Sequence, residues 1–406
     1  MIKILHLIIF LHFLYTNCQT CLDASCLACS KDGSYCYMNS VLQCFSNIYS
    51  LTNYFLNPEK EQFFKMNNIN MSNKDADSLS IIYKELIDNL WKGMPKVPYA
   101  PYKFRNKIGK LNTLFKDGVA GDSKDFACYL IMQLHQELNN IDNDIKDKNN
   151  NMNINENVTV NPYDRNEVLN FFLSDFAINQ SSIISKIFYG TNQSMFECQI
   201  CKMNNMQKGI RTPLIKYNFE NFFFLEFPLD EVRKYKMELF HNQGMNLQMN
   251  YQMINEVDIF DCFKYYFKGG DMNGYCDKCG QDNAKILTQT QIFNGPNILM
   301  IVFNRGKGLQ FKIKINFNEQ LMLPVVSSNT PQIYELYGVI KHLGDSSDTG
   351  HFIAYCKPPI QNYQNNWYCF NDSTVVEVKN KNDIINIGNT YILFYKLKKS
   401  NPNNKY

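Results

Sequence analysis

The sequence has little net charge and no cluster of basic residues with interleaved aromatic side chains. Its formal net charge is +3 over 406 residues, which says almost nothing about its partners. Because proteins that follow a phosphate backbone carry such basic clusters, nucleic-acid binding is disfavoured. Internal repeats with a period of about 20 to 50 residues are also absent, so no repeat architecture is indicated.

The sequence also lacks an apolar run as long as an ordinary transmembrane helix. The N-terminal run Ile4 to Tyr15 is apolar apart from two histidines and follows a lone Lys3. This is closer to a signal-peptide core than to a span of about 20 residues, but a membrane anchor, a mis-set start and an ordinary buried segment stay open. We expect a cytoplasmic or nuclear protein, with membrane association only if this run acts as an anchor.

The composition is that of a soluble globular protein with one large or two medium domains. Hydrophobic residues make up 45% of the chain. The first third is predicted to be helical, and one helix face carries five apolar residues, Ala127, Leu130, Ile131, Leu134 and Leu138. Beyond about residue 296 come five β-rich runs, NILMIVF, IYELYGVIK, HFIAYC, NWYCF and YILFYK. The sequence therefore predicts an α+β fold, a helical part followed by a largely antiparallel sheet.

Three polar stretches have neither a helical nor an alternating period. They are predicted to be surface loops, and they are Met66 to Asp77, Asn139 to Asn157 and Gln361 to Asn366.

One of the fourteen cysteines stands at the predicted start of a helix. In GSYCYMNSVLQCF, Cys36 precedes a run whose apolar positions share one helix face. The positive end of a helix dipole lowers the pKa of a thiol there and favours the nucleophilic thiolate. A buried structural cysteine is the alternative interpretation, because free cysteines are among the most buried residue types.

The chain offers only six histidines as the base that a cysteine nucleophile needs. Two lie in the apolar N-terminal run, one in a polar stretch and one on an expected helix surface: His6, His12, His241 and His135, respectively. The remaining two flank the loop LGDSSDTG, where His342 ends one strand and His351 begins the next. A structural role is the alternative for each of these two.

Asn371 and Asp372 follow the strand NWYCF, which comes next along the chain. A side-chain oxygen there would accept the imidazole proton and fix the tautomer of the base. The sequence therefore predicts a constellation of Cys, His and Asn or Asp. Asn371-Asp372-Ser373 is also an N-glycosylation pattern, and a sugar would block this site, which argues against secretion.

The segment around Cys36 resembles the cysteine box of the ubiquitin-specific proteases. YELYGVIKHLGDSSDTGHFIAYC with NWYCFNDSTV resembles their histidine box, and YILFYK resembles the strand that ends their catalytic domain. The resemblance implies a papain-like cysteine protease with a helical thumb, an antiparallel-sheet palm and zinc-bearing β fingers, which cleaves after the C-terminal glycine of ubiquitin. It implies that Cys36 is the nucleophile, His351 the general base and Asn371 the orienting residue, with Asp372 as an auxiliary.

The resemblance also implies domain boundaries. The expected parts are an apolar and Cys-rich segment (1–28), a catalytic domain (29–398) and a disordered tail (399–406), with the thumb at about 29–180, the fingers at about 181–292 and the palm at about 293–398.

GDSKDFACYLIMQLHQEL resembles the family helix that carries a QQD motif near the ubiquitin tail. Asp125 matches the acid of that motif and is expected to contact the substrate. The two glutamines are replaced by Ser123 and Lys124, and a usual glutamate by Cys128.

Two further departures lie beside the nucleophile. Lys31 stands where the family commonly has an asparagine that donates to the oxyanion, and Tyr35 stands where it commonly has threonine. Loss of an oxyanion donor typically costs about 100-fold to 1,000-fold in rate.

Two CxxC pairs, Cys198-Gln-Ile-Cys201 and Cys276-Asp-Lys-Cys279, are candidate metal ligands. Four thiolates at such spacing bind zinc in a closed structural site, and disulfides are the alternative. Because ubiquitin-specific proteases carry the same pairs in their fingers, the resemblance implies one structural Zn²⁺. A second group is spaced too closely for a usual zinc ribbon and favours disulfides or packing: Cys18, Cys21, Cys26 and Cys29.

Two other interpretations stay open beside a deubiquitinase that acts on ubiquitin and ubiquitinated proteins. A ubiquitin-binding module that has lost catalysis would keep the fold and the zinc, and Lys31, Ser123 and Cys128 favour it. A secreted cysteine-rich protease with an unrelated substrate would instead have disulfides at the two CxxC pairs.

Overall fold

The computed structural model describes most of the chain from residue 35 onward. The described residues are 35–58, 78–92, 99–116, 118–139, 159–210, 212–242, 254–306, 313–344, 349–358, 366–385 and 388–398. The predictions for the N-terminal run, its four closely spaced cysteines, Lys31, most of the three polar stretches and the tail lie outside these residues.

Helices dominate the first half of the described chain. The first seven are α1 (Cys36–Ser46), α2 (Tyr49–Leu56), α3 (Leu79–Lys92), α4 (Tyr102–Leu111), α5 (Ser123–Asn139), α6 (Arg165–Asn179) and α7 (Ile183–Phe188). Four shorter or more peripheral helices follow among the strands: α8 (Gln199–Gln207), α9 (Leu229–Asn242), α10 (Ile259–Phe267) and α11 (Asn382–Ile385). The predicted apolar face of α5 is confirmed, since all five of its residues are buried.

The strands form a large sheet and two smaller ones. The eight-stranded sheet has the order β13-β12-β11-β10-β14-β7-β3, with β9 also paired to β10. Its strands are β3 (Leu225–Pro228), β7 (Ile298–Asn304), β9 (Gln320–Leu323), β10 (Gln332–Leu343), β11 (His351–Cys356), β12 (Trp367–Asn371), β13 (Thr374–Val378) and β14 (Thr390–Leu397). All of its pairs are antiparallel except β3 with β7.

A separate four-stranded antiparallel sheet has the order β2-β1-β6-β5. Its strands are β1 (Gly190–Cys198), β2 (Ile215–Phe222), β5 (Gly270–Cys276) and β6 (Gln281–Asn294). A short parallel pair joins β4 (Glu256–Asp258) to β8 (Lys314–Asn316).

The large sheet is covered on both faces, which explains why its central strands read as unbroken apolar runs. Along β7, Ile298, Met300 and Val302 join the core beneath the N-terminal helices. The alternate residues Leu299, Ile301 and Phe303 join a second core with α9 and α10. The α+β prediction, with a helical part packed on a largely antiparallel sheet, is confirmed.

Helix α1 runs through the centre of the first core, and all eleven of its residues are buried. Its predicted single apolar face is therefore only part of the contact, because β11 and α5 pack on other sides of the helix. Phe45 lies with its ring centroid 5.2 Å from that of Phe188 and 6.1 Å from that of Phe394. These contacts join α1 to α7 and to β14.

The expectation that His135 lies on a helix surface is wrong. Its ring is buried on α5, with Nδ1 2.8 Å from Ser182 Oγ and Nε2 2.8 Å from Gln180 Oε1. The segment between α6 and α7 returns over the helix and supplies both partners. Burial lowers the pKa of this imidazole, which favours its neutral form.

None of the helices in the described part combines the length and the hydropathy that a bilayer-spanning helix needs.

We expect Phe45→Ala to lower the free energy of unfolding by about 3 to 5 kcal/mol, because it leaves a cavity between α1, α7 and β14. Urea denaturation would measure the change. Phe171→Ala is the matched control, because this side chain on α6 is 45% exposed, and it should change stability by no more than about 0.5 kcal/mol. Equal losses in the two variants would contradict the assignment of Phe45 to the core.

Candidate active site

Cys36 is the first residue of α1, as predicted, and is 3% exposed. Among the described residues no side chain caps this helix end, and the positive end of the helix dipole favours a negative charge at the first turn. Farther along α1, Cys44 packs on β11, with its Sγ 3.5 Å from that of Cys356. The strand that begins with His351 is thereby packed directly on the helix that begins with Cys36.

His351 faces Asn371 across the sheet. The Nε2 atom of His351 lies 2.7 Å from Asn371 Oδ1, and the imidazole is about one-third exposed. When Nε2 carries the proton that it donates to Asn371, Nδ1 is the nitrogen that can accept the proton of the Cys36 thiol. The structure therefore brings together the three predicted residues in the predicted order.

The hydrogen bond with Cys36 raises the pKa of His351 to about 9, as the largest of several causes. Burial opposes this shift, while the hydrogen bond to Asn371 and the charges of Cys36 and Asp372 add to it. A raised pKa means that the imidazolium persists at neutral pH. The arrangement therefore favours a thiolate–imidazolium pair, which is the reactive state of a cysteine hydrolase.

Asp372 lies in the two-residue turn between β12 and β13, just after Asn371. Its φ of 48° is left-handed, a conformation that tight hairpin turns require and that Asp tolerates. The turn places Asp372 Oδ2 3.6 Å from His351 Nε2, while Oδ1 accepts a 2.8 Å hydrogen bond from Asn39 Nδ2. Asp372 thus adds negative charge beside the imidazole, and its auxiliary role in catalysis stays a prediction.

Sequence reasoning missed the residues that support Asp372. Asn39 follows Cys36 by one helical turn, and this spacing alone could have placed it near the site. Its Oδ1 accepts a 3.3 Å hydrogen bond from Arg105 Nη2 on α4. The guanidinium carbon of Arg105 also lies 4.0 Å from the ring centroid of Tyr35, and no local pattern in the sequence indicates this contact.

His342, the other candidate base, has a packing role. It lies one residue before the end of β10, and its ring centroid is 4.5 Å from that of Phe352. Burial, followed by the charges of Arg305 and His351, lowers the pKa of His342. Gly350 is required here, because a Cβ on it would lie 2.3 Å from the His342 ring. The backbone just before His351 therefore packs closely on the imidazole of His342, whose lowered pKa favours its neutral form.

A cleft beside His342 is lined by residues from the start of α5, from β3 and from β14. Asp122 caps α5 by accepting backbone hydrogen bonds from Lys124 and Asp125, and it accepts a 2.6 Å hydrogen bond from the hydroxyl of Tyr391. Lys124 lies 3.5 Å from Glu226. The wall of this cleft is therefore fixed by internal ion pairs and hydrogen bonds.

The residues at and beside the positions of the QQD motif have separate roles. Ser123 is buried, and its Oγ lies 3.2 Å from Ser40 Oγ, which ties α5 to α1. Asp125 stays 58% exposed at the side chain, 3.8 Å from the Lys124 ammonium. Burial raises the pKa of the Cys128 thiol to about 12, so this thiol stays neutral.

The four cysteines of the two CxxC pairs converge at one end of the four-stranded sheet. Their sulfurs lie within 4.8 Å of one another and could hold a metal ion. The Sγ separations are 3.9 Å for Cys198 with Cys279 and 3.6 Å for Cys201 with Cys276. A tetrahedron with Zn–S bonds of about 2.3 Å has edges of about 3.8 Å. The sulfurs fit zinc, and the disulfides expected for a secreted cysteine-rich protease are contradicted, because a disulfide needs about 2.05 Å.

Comparison with known proteins assigns a family to this arrangement. The family model for ubiquitin carboxyl-terminal hydrolase matches residues 30–395. The chain is 26% identical to ubiquitin carboxyl-terminal hydrolase 4 of Saccharomyces cerevisiae over 402 residues, which covers 89% of this chain and 38% of the relative. It is 25% identical to human ubiquitin carboxyl-terminal hydrolase 2 over 386 residues, which covers 90% of this chain and 54% of the relative. The chain thus spans about two-fifths to one-half of the length of these relatives.

Solved structures show the same fold. The SAGA Ubp8/Sgf11/Sus1/Sgf73 DUB module bound to ubiquitin aldehyde contains a chain that matches with a TM-score of 0.60 at 18% identity. The match covers 95% of this chain and 70% of that one. The predicted protease fold is confirmed, whereas the residue boundaries of thumb, fingers and palm stay predictions.

We expect the imidazole of His351 to titrate near pH 9, and to titrate at lower pH in Cys36→Ala. The thiolate of Cys36 stabilises the imidazolium most strongly, so its removal lowers the pKa. NMR of histidine-labelled protein would measure both titrations, with the His351 signal assigned from its absence in His351→Gln. His135 is the internal control, because it should titrate below its ordinary value in both proteins. An unchanged His351 titration in Cys36→Ala would contradict the pairing.

Proposed function

The chain belongs to the ubiquitin carboxyl-terminal hydrolase family, and from this premise we propose that it is a deubiquitinating thiol protease. It hydrolyses the peptide or isopeptide bond after the C-terminal glycine of ubiquitin. The observation that carries the proposal is the hydrogen-bonded series from Cys36 through His351 to Asn371, at a buried helix N-terminus. The expected partners are ubiquitin and ubiquitinated proteins.

In the first half of the reaction, the Cys36 thiolate attacks the carbonyl carbon of the C-terminal glycine. The His351 imidazolium then gives its proton to the leaving amine, so the C–N bond breaks and a thioester forms. Asn371 Oδ1, 2.7 Å from Nε2, holds the ring in the orientation that this transfer needs. Because the pKa of His351 is raised to about 9, the proton is available at neutral pH.

In the second half, neutral His351 takes a proton from water as the water attacks the thioester. The bond between carbon and Sγ breaks, ubiquitin leaves with a free C-terminal carboxyl group, and the thiolate–imidazolium pair is restored. Asp372 faces the imidazole through each proton transfer, at 3.6 Å. Asp125 is proposed to contact the bound tail, because its carboxylate is exposed beside the charged cleft.

We also propose that Cys198, Cys201, Cys276 and Cys279 hold one structural Zn²⁺. Four thiolates complete the coordination of zinc and leave no open position, so the ion would stabilise the fold and take no part in catalysis. It would join the end of β1 to the end of β5, two segments that are far apart in sequence. Within the cell, we propose a cytoplasmic or nuclear location, where cysteine thiols are kept reduced and do not form disulfides.

Wild-type protein should hydrolyse a fluorogenic amide of the ubiquitin C-terminus, and Cys36→Ala should reduce this activity to background because the nucleophile is gone. Cys262→Ala is the matched control, since this buried thiol on α10 lies in the second core and not at the active site, and it should keep activity within about threefold. Ubiquitin binding would be measured in parallel. A folded wild type that binds ubiquitin without turning over the amide would instead establish the noncatalytic binding module.

Metal analysis should find about one zinc ion per chain in the wild type and in Cys128→Ser, but much less in Cys201→Ser, which lacks one of the four ligands. A chelator should remove the metal and lower the thermal unfolding temperature of the wild type. Four zinc-free thiols in a fully stable protein would refute the proposed site.

A further inference from the structure

We propose that Arg105 is a positioning residue for the active site, holding Asn39 and Tyr35, which in turn hold Asp372 and the first turn of α1. The proposal rests on the proposed function for its hydrolytic readout only. Its second readout, the titration of His351, is independent of the substrate.

Arg105 is a buried cation close behind the nucleophile. It lies on α4 and is 2% exposed. Burying a guanidinium is costly unless polar groups or aromatic faces replace the lost water. Two of the groups that do so here, Asn39 and Tyr35, belong to the first turn of α1 and the residue before it. The cost of burial is thus offset at the site itself.

The contact with Arg105 decides which way the Asn39 amide faces. A guanidinium has only donors, so the oxygen of Asn39 must face it, at 3.3 Å from Nη2. The NH₂ group of Asn39 then faces Asp372 Oδ1 at 2.8 Å. With the amide flipped, NH₂ would oppose the guanidinium and the oxygen would oppose the carboxylate. Arg105 therefore fixes the one orientation in which Asn39 can hold Asp372.

A second contact holds the residue before the nucleophile. The Tyr35 ring lies beneath the guanidinium, with its centroid 4.0 Å from Cζ, and Tyr35 is 3% exposed. This distance is typical of a cation–π interaction. The Tyr35 carbonyl accepts a 2.9 Å hydrogen bond from the Asn39 N–H, which closes the first turn of α1. Arg105 thus contacts both ends of this turn, and Cys36 lies between them.

These two contacts affect the same charges. The titratable groups that act on the His351 ring are Cys36 on α1, Asp372 in the turn after β12 and His342 on β10. Arg105 acts on the placement of the first two, through Asn39 and Tyr35. Loss of Arg105 should therefore loosen Asp372 and Cys36 relative to the imidazole, while the surface that binds the substrate is unchanged.

The test begins with Arg105→Met, which keeps an unbranched apolar side chain but removes the guanidinium with its charge and donors. We expect kcat to fall about 10-fold while KM stays within about twofold, because the reacting groups are misplaced after binding. Arg105→Lys, which can still donate to Asn39 and lie over the Tyr35 ring, should recover most of the loss. Lys103→Met is the control, since Lys103 lies on the same helix in an exposed pair with Glu85.

A double-mutant cycle distinguishes positioning from a general structural role. Asp372→Asn keeps a residue that tolerates the left-handed turn while removing the charge. If Arg105 acts through Asp372, the double variant should be no more than about twofold slower than the slower single variant. If the rate losses of the two single variants multiply in the double variant, the proposal is overturned.

The titration of His351 provides the readout that needs no substrate. In Arg105→Met it should move to lower pH, and in Lys103→Met it should not move. If Arg105→Met does not fold, Asn39→Ala removes the same link and should give the same shift. Unchanged titration in a folded Arg105→Met variant overturns the positioning role. A shifted titration in that variant, together with a wild type that never hydrolyses the ubiquitin amide, overturns the proposed function alone.

Discussion

The contact between the start of α1 and the start of β11 is the constraint on which the site depends. A thiolate and an imidazolium stabilise each other only within hydrogen-bond reach, yet Cys36 and His351 come from opposite ends of the described chain. The large sheet and the N-terminal helices hold these two segments together by burying α1 on every side. Close packing at Cys44 and Cys356 then limits how far helix and strand can shift.

Much of this architecture could be predicted from local patterns. The face of α5, the five apolar runs after residue 296 and the positions of Cys36, His351 and Asn371 all follow from periodicity, turn residues and recognisable motifs. Such features depend on neighbours in sequence, and a single chain reports them directly. Strands buried on both faces, such as β7, were also recognisable because they show unbroken apolar runs.

The features that escaped prediction depend on residues distant in sequence. His135 has a helical neighbourhood that fits a surface position, and only the return of Gln180 and Ser182 makes it a buried, neutral imidazole. Asn39, Asp372 and Arg105 belong to three separate elements, so no spacing along the chain relates them. The departures from the QQD motif are similar, since the serine at position 123 is explained by its contacts with Tyr37 and Ser40 on α1. Tertiary partners decide the role of a polar residue in each case.

The position of β14 in the large sheet has a consequence for the order of events in the cell. This strand lies between β10 and β7, in the interior of the sheet, although it is the last strand of the described chain. While a ribosome is still making residues 390–397, β10 and β7 lack a shared neighbour, and the strand that follows β10 has no finished sheet to join. The nucleophile is synthesised early, but the sheet that holds its base is complete only once β14 has been made. Assembly of the site therefore waits for the last strand of the described chain.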